Sequence, residues 1–212
     1  MDDAQKALKD LQDIKQIMEE STKFISLSGF SGVFSGIYAL IGGGYLLTTY
    51  QNVFNSRIYG GRTYVEQGTE TEMIINLMIV GVAMLVASFT TGIFLTVRKA
   101  KKRGESVFGK QSQQLLTALF IPLVAGGLFT LILMLNGYFE LLAPATLIFY
   151  GLALINASKY TLHDIKYLGI VEIMLSLVCL FAGKLDILVW MFGFGVMHII
   201  YGLIMYFKYE RK

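Results

Sequence analysis

Two ionisable side chains sit inside otherwise apolar stretches near the end of this chain, Glu172 within 167–183 and His198 within 187–207. A carboxylate and an imidazole can exchange a proton near neutral pH. At membrane depth such groups are costly, so they turn inward and find partners. Only a turn, Gly183-Lys184-Leu185-Asp186, separates the two stretches. If that turn lies at a membrane surface, residues at equal depth on the two antiparallel helices have numbers summing to about 370 at ~1.5 Å rise per residue. Residues 172 and 198 meet that condition. Gly169, Ser176, Cys179 and Gly183 share the face of Glu172, and Gly195 and Gly202 flank His198, so the spacing predicts close approach of the two faces. Two roles fit the pair. One is an interhelical hydrogen bond that sets register, worth under ~2 kcal/mol; the other is a proton relay or ion site.

Catalysis asks for more than this. Intramembrane hydrolysis or metal chemistry needs paired aspartates, His-Glu-x-x-His, or a serine with a base, and the histidines are only His163 and His198. His163-Asp164 is explained by a capping box, Thr161 capping the fifth helix while Asp164 reaches back as the third-position acid. No phosphate-binding loop or dinucleotide fingerprint occurs. The single Cys179 rules out an intramolecular disulfide or a cysteine zinc cluster. The sequence therefore assigns no catalytic, metal or cofactor-binding residue, and no cofactor is expected.

The elements that carry the pair are membrane helices. Of 212 residues, 55% are apolar and only 16% charged, with a mean hydropathy of +0.59, too apolar for a soluble domain of this size. Apolar runs near the ~20 residues needed to cross a bilayer lie at 24–49, 73–97, 115–135, 141–157, 167–183 and 187–207. They predict an all-α, polytopic domain over 24–212, with six transmembrane helices in antiparallel hairpins. Uninterrupted runs of this kind exclude a β-barrel. With both termini placed inside, Lys and Arg number 4 before the first span, 6 in Arg98–Lys110, 2 in Ser158–Lys166 and 3 after Phe207, leaving Arg57, Arg62 and Lys184 outside. That bias predicts cytoplasmic termini in a bacterial inner membrane, and puts the sequon-like Asn156-Ala157-Ser158 on the cytoplasmic side, where it is not glycosylated.

Residues 1–23 read as a cytoplasmic amphipathic helix, with Ala4, Ala7, Leu11, Ile14 and Met18 on one face. It has no basic n-region, so the first span is expected to be retained rather than cleaved as a signal peptide. Six acids against four lysines on its polar face argue against surface binding by charge. It is either a solvated extension or a contact for a protein partner or second copy. Gly29, Gly32, Gly36, Ala39 and Gly43 form a packing seam on the first span, although Gly42-Gly43-Gly44 also permits local unwinding. In the loop after it, Arg57 to Val65 alternates around Gly60-Gly61 as a β-hairpin does, and Tyr50, Tyr59 and Tyr64 suit the membrane interface.

Arg98, Lys99, Lys101, Lys102 and Arg103 end the second span as a basic cluster, read as topogenic charge that could also hold anionic headgroups. Nucleic acid is not expected as a partner. Ser88, Thr90 and Thr91 can bond to their own helix backbone. Pro122 predicts a kink in the third span, Asn136-Gly137 a tight turn, and Pro144 an early position in the fourth helix. Tyr150-Gly151-Leu152 recurs as Tyr201-Gly202-Leu203, too faint a repeat to build on. The resulting expectation is a non-enzymatic membrane protein acting through partners as an accessory, sensory or regulatory subunit. The alternative is a small proton-linked transporter or channel using Glu172 and His198.

Overall fold

The computed structural model describes residues 28–50, 67–103, 109–182 and 185–211, with Gln5 and Leu11 as single helical positions ahead of them. The remainder of the 1–23 helix, the hairpin over 57–65 with Tyr59 and Tyr64, and Gly183-Lys184 lie outside the described residues. Regular structure among the described residues is entirely helical. The helices are α1 (Gly29–Thr49), α2 (Gln67–Arg103), α3 (Lys110–Leu135), α4 (Leu142–Ala157), α5 (Ile165–Ala182) and α6 (Asp186–Tyr209). Five are long and apolar enough to cross a membrane, α4 when counted with the 3-10 turn that precedes it, Phe139–Ala157. The sixth, α5, has 18 residues and reaches about 27 Å, just under a ~30 Å hydrocarbon core.

Apolar runs mark the membrane-embedded part of a helix and not its ends, so the boundaries move. The second span widens from 73–97 to a helix of 37 residues, and the third begins at Lys110 rather than 115. The first starts at Gly29, after Ser28 in extended conformation. Glu210 accepts a hydrogen bond from the Gly29 amide there, so an acid from the far end of the chain caps α1. α1 is continuous through Gly42-Gly43-Gly44, and α3 runs on as helix through Pro122. Gly42 and Gly43 instead receive Met84 and Met191 side chains. After α3, Gly137 turns the chain at φ 77°, a left-handed conformation that favours glycine. A short 3-10 turn over Phe139–Leu141 then leads into α4, with Pro144 in its first turn.

Glycines set which helices touch. α1 runs antiparallel along α6, with Gly29 against Gly202 and Tyr206, Gly32 against Gly202 and the His198 carbonyl, Gly36 against Gly195 and Ile199, and Gly43 against Met191 and Trp190. A Cβ added at Gly29 would lie 2.5 Å from the Gly202 carbonyl oxygen, so the two backbones meet directly. Gly151 and Gly169 bring α4 and α5 together in the same way. α3 lies on α4 where Phe149 covers Gly126, and α2 lies on α1, where the Tyr38 and Thr91 hydroxyls are 3.0 Å apart. Thr91 thus bonds across helices, whereas Thr90 bonds back to Val86 and Ala87 as expected. Only 6% of the apolar window of α2 is buried, leaving Ile79, Val82 and Leu85 on an outer surface suited to lipid.

Two apolar clusters close the ends of the bundle. Leu46, Tyr50, Met73, Met134 and Phe139 pack at one end. Tyr50 is 7% exposed and its hydroxyl accepts a hydrogen bond from Asn76 at 2.7 Å. It is packed among the helices, and Asn76 supplies the polar partner its ring tip needs. Leu154, Leu162, Ile165, Leu168 and Met205 pack at the other end.

Candidate functional site

α5 presents Glu172 to a junction of three helices. Its side chain is fully buried, and His198 on α6 is 5% exposed. The structure brings them together, with His198 Nδ1 3.4 Å from Glu172 Oε1. At that separation the two are in polar contact without a hydrogen bond. Nδ1 lies nearer the Gly193 carbonyl oxygen, at 3.1 Å, while Nε2 is 2.7 Å from the Tyr150 hydroxyl of α4. A carbonyl can only accept, so Nδ1 must carry a proton. In neutral His198, Nε2 is then the acceptor and Tyr150 donates to it. In the imidazolium both nitrogens donate, and the Tyr150 oxygen accepts. The ring thus has a partner in either state. Both oxygens of Glu172 lack a hydrogen bond among the described residues.

Local backbone geometry explains how the site fits. Phe192–Met197, immediately before His198, is π-helical. Such turns insert a residue into an α-helix and recur where a side chain must be re-aimed. Gly193 lies within it, and a Cβ there would meet Glu172 Oε2 at 2.6 Å and Leu147 Cδ2 at 2.8 Å. Gly193 therefore makes the space the carboxylate occupies. Aromatic rings close one side, with Phe194 stacked on His198 at 5.8 Å between centroids and Tyr150 and Trp190 each 5.0 Å from Phe194. Trp190 donates to the Thr146 hydroxyl at 3.0 Å, and Ser176 donates to the Pro144 carbonyl at 2.8 Å. These two bonds tie α4 to α6 and to α5 beside the pair.

The facing-seam expectation needs correcting. Gly195 and Gly202 do not meet α5; they pack against Leu40, Gly29 and Val33 of α1. Gly169 and Ser176 of α5 likewise face α4, and Cys179 is buried, donating to the Asp186 carbonyl at 3.5 Å. The glycine that admits Glu172 is Gly193.

Tyr150, Gly193, Phe194 and Trp190 are the members sequence reasoning missed. Tyr150 stands in a faint repeat, and its one signal is a hydroxyl at comparable depth on a neighbouring helix. Asp186, a surface turn residue by its sequence context, is only 4% exposed, its carboxylate accepting from the Ile187 amide at 2.6 Å. Asp186 is the acid in the first turn of α6, where the helix dipole favours a carboxylate.

A second group of polar residues gathers at the end of the bundle where α2 and α6 finish. Asp164 does not complete a capping box. α5 begins only at Ile165, and the carboxylate accepts from Lys208 at 2.6 Å and Tyr209 at 2.9 Å. Partial burial works against its charge, but these bonds, with the Lys208 and His163 charges, hold its pKa below the ordinary carboxylate value. Asn156 donates to the Ala118 carbonyl, joining α4 to α3. Lys99 pairs with Glu210 at 3.2 Å; Lys101 and Lys102 are exposed; Arg103 ends α2 and its side chain lies outside those described.

Among the described residues, no three His, Cys, Asp or Glu side chains converge as a metal-binding group. Comparison of the chain with protein-family models, with curated proteins and with solved structures finds no match.

Proposed function

We propose that this chain is a non-enzymatic integral membrane protein that acts through partners, as an accessory, sensory or regulatory subunit. Its Tyr150–His198–Glu172 cluster locks the register of α4, α5 and α6. The observation carrying this reading is the sealing of the cluster. Glu172 is fully buried, His198 is 5% exposed, and Leu147, Phe194 and Trp190 pack around them. A conducting site must exchange its ion with water, whereas a structural polar contact only needs to be satisfied and packed. The hairpins are placed with both termini in the cytoplasm of a bacterial cell, on the strength of the Lys and Arg distribution. Residues 1–23 are the proposed contact for a partner or second copy; Leu11, 66% exposed, is an apolar group available for it.

A proton-linked transporter is the second reading. It is favoured by the unbonded Glu172 oxygens beside an imidazole that can hold a proton in either of two partnered states. Proteoliposomes with an imposed pH gradient and an internal pH dye separate the two. The register-lock reading expects the purified protein to dissipate the gradient no faster than protein-free vesicles. Dissipation that disappears in Glu172→Gln would replace it with the transport reading.

A further inference from the structure

The end of the bundle where α1 begins and α2 and α6 finish contains a cavity of about 440 Å³. Three cations line it, Arg98, Lys99 and Lys102, together with the Ser28 hydroxyl and Glu210. Glu210 is already engaged, bridging the Gly29 amide and Lys99. One acid among three cations leaves the wall with a net charge near +2, and Arg98 and Lys102 are exposed and form no ion pair among the described residues. The rest of the wall is apolar. Phe30 and Tyr206, with ring centroids 4.4 Å apart, form one side and Leu95 the other.

A second cavity of about 600 Å³ adjoins it along the outer face of α2, sharing Arg98. Thr90, Ile93, Phe94 and Val97 line it, and Lys101 stands at its basic end. Phe94 and Ile93 are 63% and 62% exposed, on the helix with the least buried apolar surface. The molecule thus presents a basic notch opening beside an apolar groove on the outer face of α2. A free phosphate would use only the notch, and an acyl chain only the groove.

We propose that this pair of cavities binds one anionic phospholipid, its phosphate held by Arg98 and Lys102 beside the Lys99–Glu210 pair and one acyl chain lying along Ile93 and Phe94. Arginine offers two parallel N–H donors to a phosphate, and lysine a point charge, so the two exposed cations divide the work. Basic pockets between membrane helices on the cytoplasmic side bind acidic headgroups for this reason. The bound lipid bridges α1, α2 and α6 at the end where Glu210 already links them. This inference stands independently of the role given to Glu172 and His198.

Native mass spectrometry of the full-length protein in detergent tests it, titrating phosphatidylglycerol against phosphatidylcholine of the same chain length, with sn-glycerol 3-phosphate as a headgroup-only arm. The expected result is one preferentially retained phosphatidylglycerol, insensitive to millimolar glycerol phosphate. Arg98→Gln with Lys102→Gln should weaken its retention by roughly 30-fold, about fivefold for each cation lost. Lys110→Gln, a cation of the same region outside both cavities, should not. If the double variant does not purify folded, the single Lys102→Gln carries the comparison with the fivefold loss. Equal retention of the two lipids, or a preference unchanged in the variants, overturns the proposal. Full displacement by glycerol phosphate also overturns it, since the notch would then take soluble phosphates.

Discussion

Glu172 and His198 have unequal circumstances, and the inequality is measurable. His198 has partners on both nitrogens, Tyr150 and Gly193, in addition to its contact with Glu172. Glu172 has no hydrogen bond among the described residues beside that contact. His198→Gln should therefore cost more stability than Glu172→Gln, the former about 1–2 kcal/mol if it behaves as other interhelical polar contacts do. The double variant should lose less than the two singles together, because removing one member leaves the other buried without its partner. Thermal unfolding in detergent from pH 5 to 8, where an imidazole titrates, measures the coupling. Strictly additive losses with no dependence on pH would falsify the pairing as an energetic unit.

At the scale of elements, α1 and α6 are joined by backbone approach at glycines, and the consequence differs from site to site. A methyl at Gly202 would meet the Gly29 carbonyl oxygen and the Val33 amide nitrogen, each at 2.6 Å, and backbone cannot step aside without moving a helix. At Gly42 the obstacle is the end of the Met84 side chain, which can rotate away. Gly44 and Gly127 have nothing within 4 Å of a would-be Cβ. Gly202→Ala should destabilise by about 1–3 kcal/mol, the usual penalty of overpacking. Gly42→Ala should cost less, and Gly44→Ala and Gly127→Ala should be neutral or slightly stabilising, since alanine is the better helix former. Denaturation in mixed micelles ranks the four; equal effects would mean that the seam is not a direct contact.

For the whole molecule the property to test is orientation, and the charge asymmetry gives a definite expectation. One end of the bundle carries the basic end of α2, the Asp164–Lys208 pair and Glu210, while α1 ends and α2 begins at the other. With the intrinsic cysteine replaced, Gly104→Cys should resist membrane-impermeant maleimide added to intact cells, and Tyr64→Cys should react. The reverse pattern would invert the protein in the membrane and place the proposed lipid site in the outer leaflet.

The sequence by itself determined that the chain is built of apolar helices, because runs of this length with so few charges have no aqueous alternative. It also determined that Glu172 and His198 meet, for a local reason: a short turn between two antiparallel helices leaves almost no freedom in relative depth. The same logic could not reach Tyr150, since α4 and α6 are not consecutive and nothing in their spacing says that they are neighbours. Nor could it find Gly193, because a π-helical turn has no distinctive composition. The α1–α6 contact shows the divide most clearly. Gly29, Gly32, Gly36 and Gly43 were legible as a surface wanting a close partner, but which helix fills it is decided only when all the helices compete for one another's faces. The union of Glu210, Gly29 and Lys99 depends on that outcome: three residues spread over the length of the chain become neighbours only once α1 has docked against both α2 and α6.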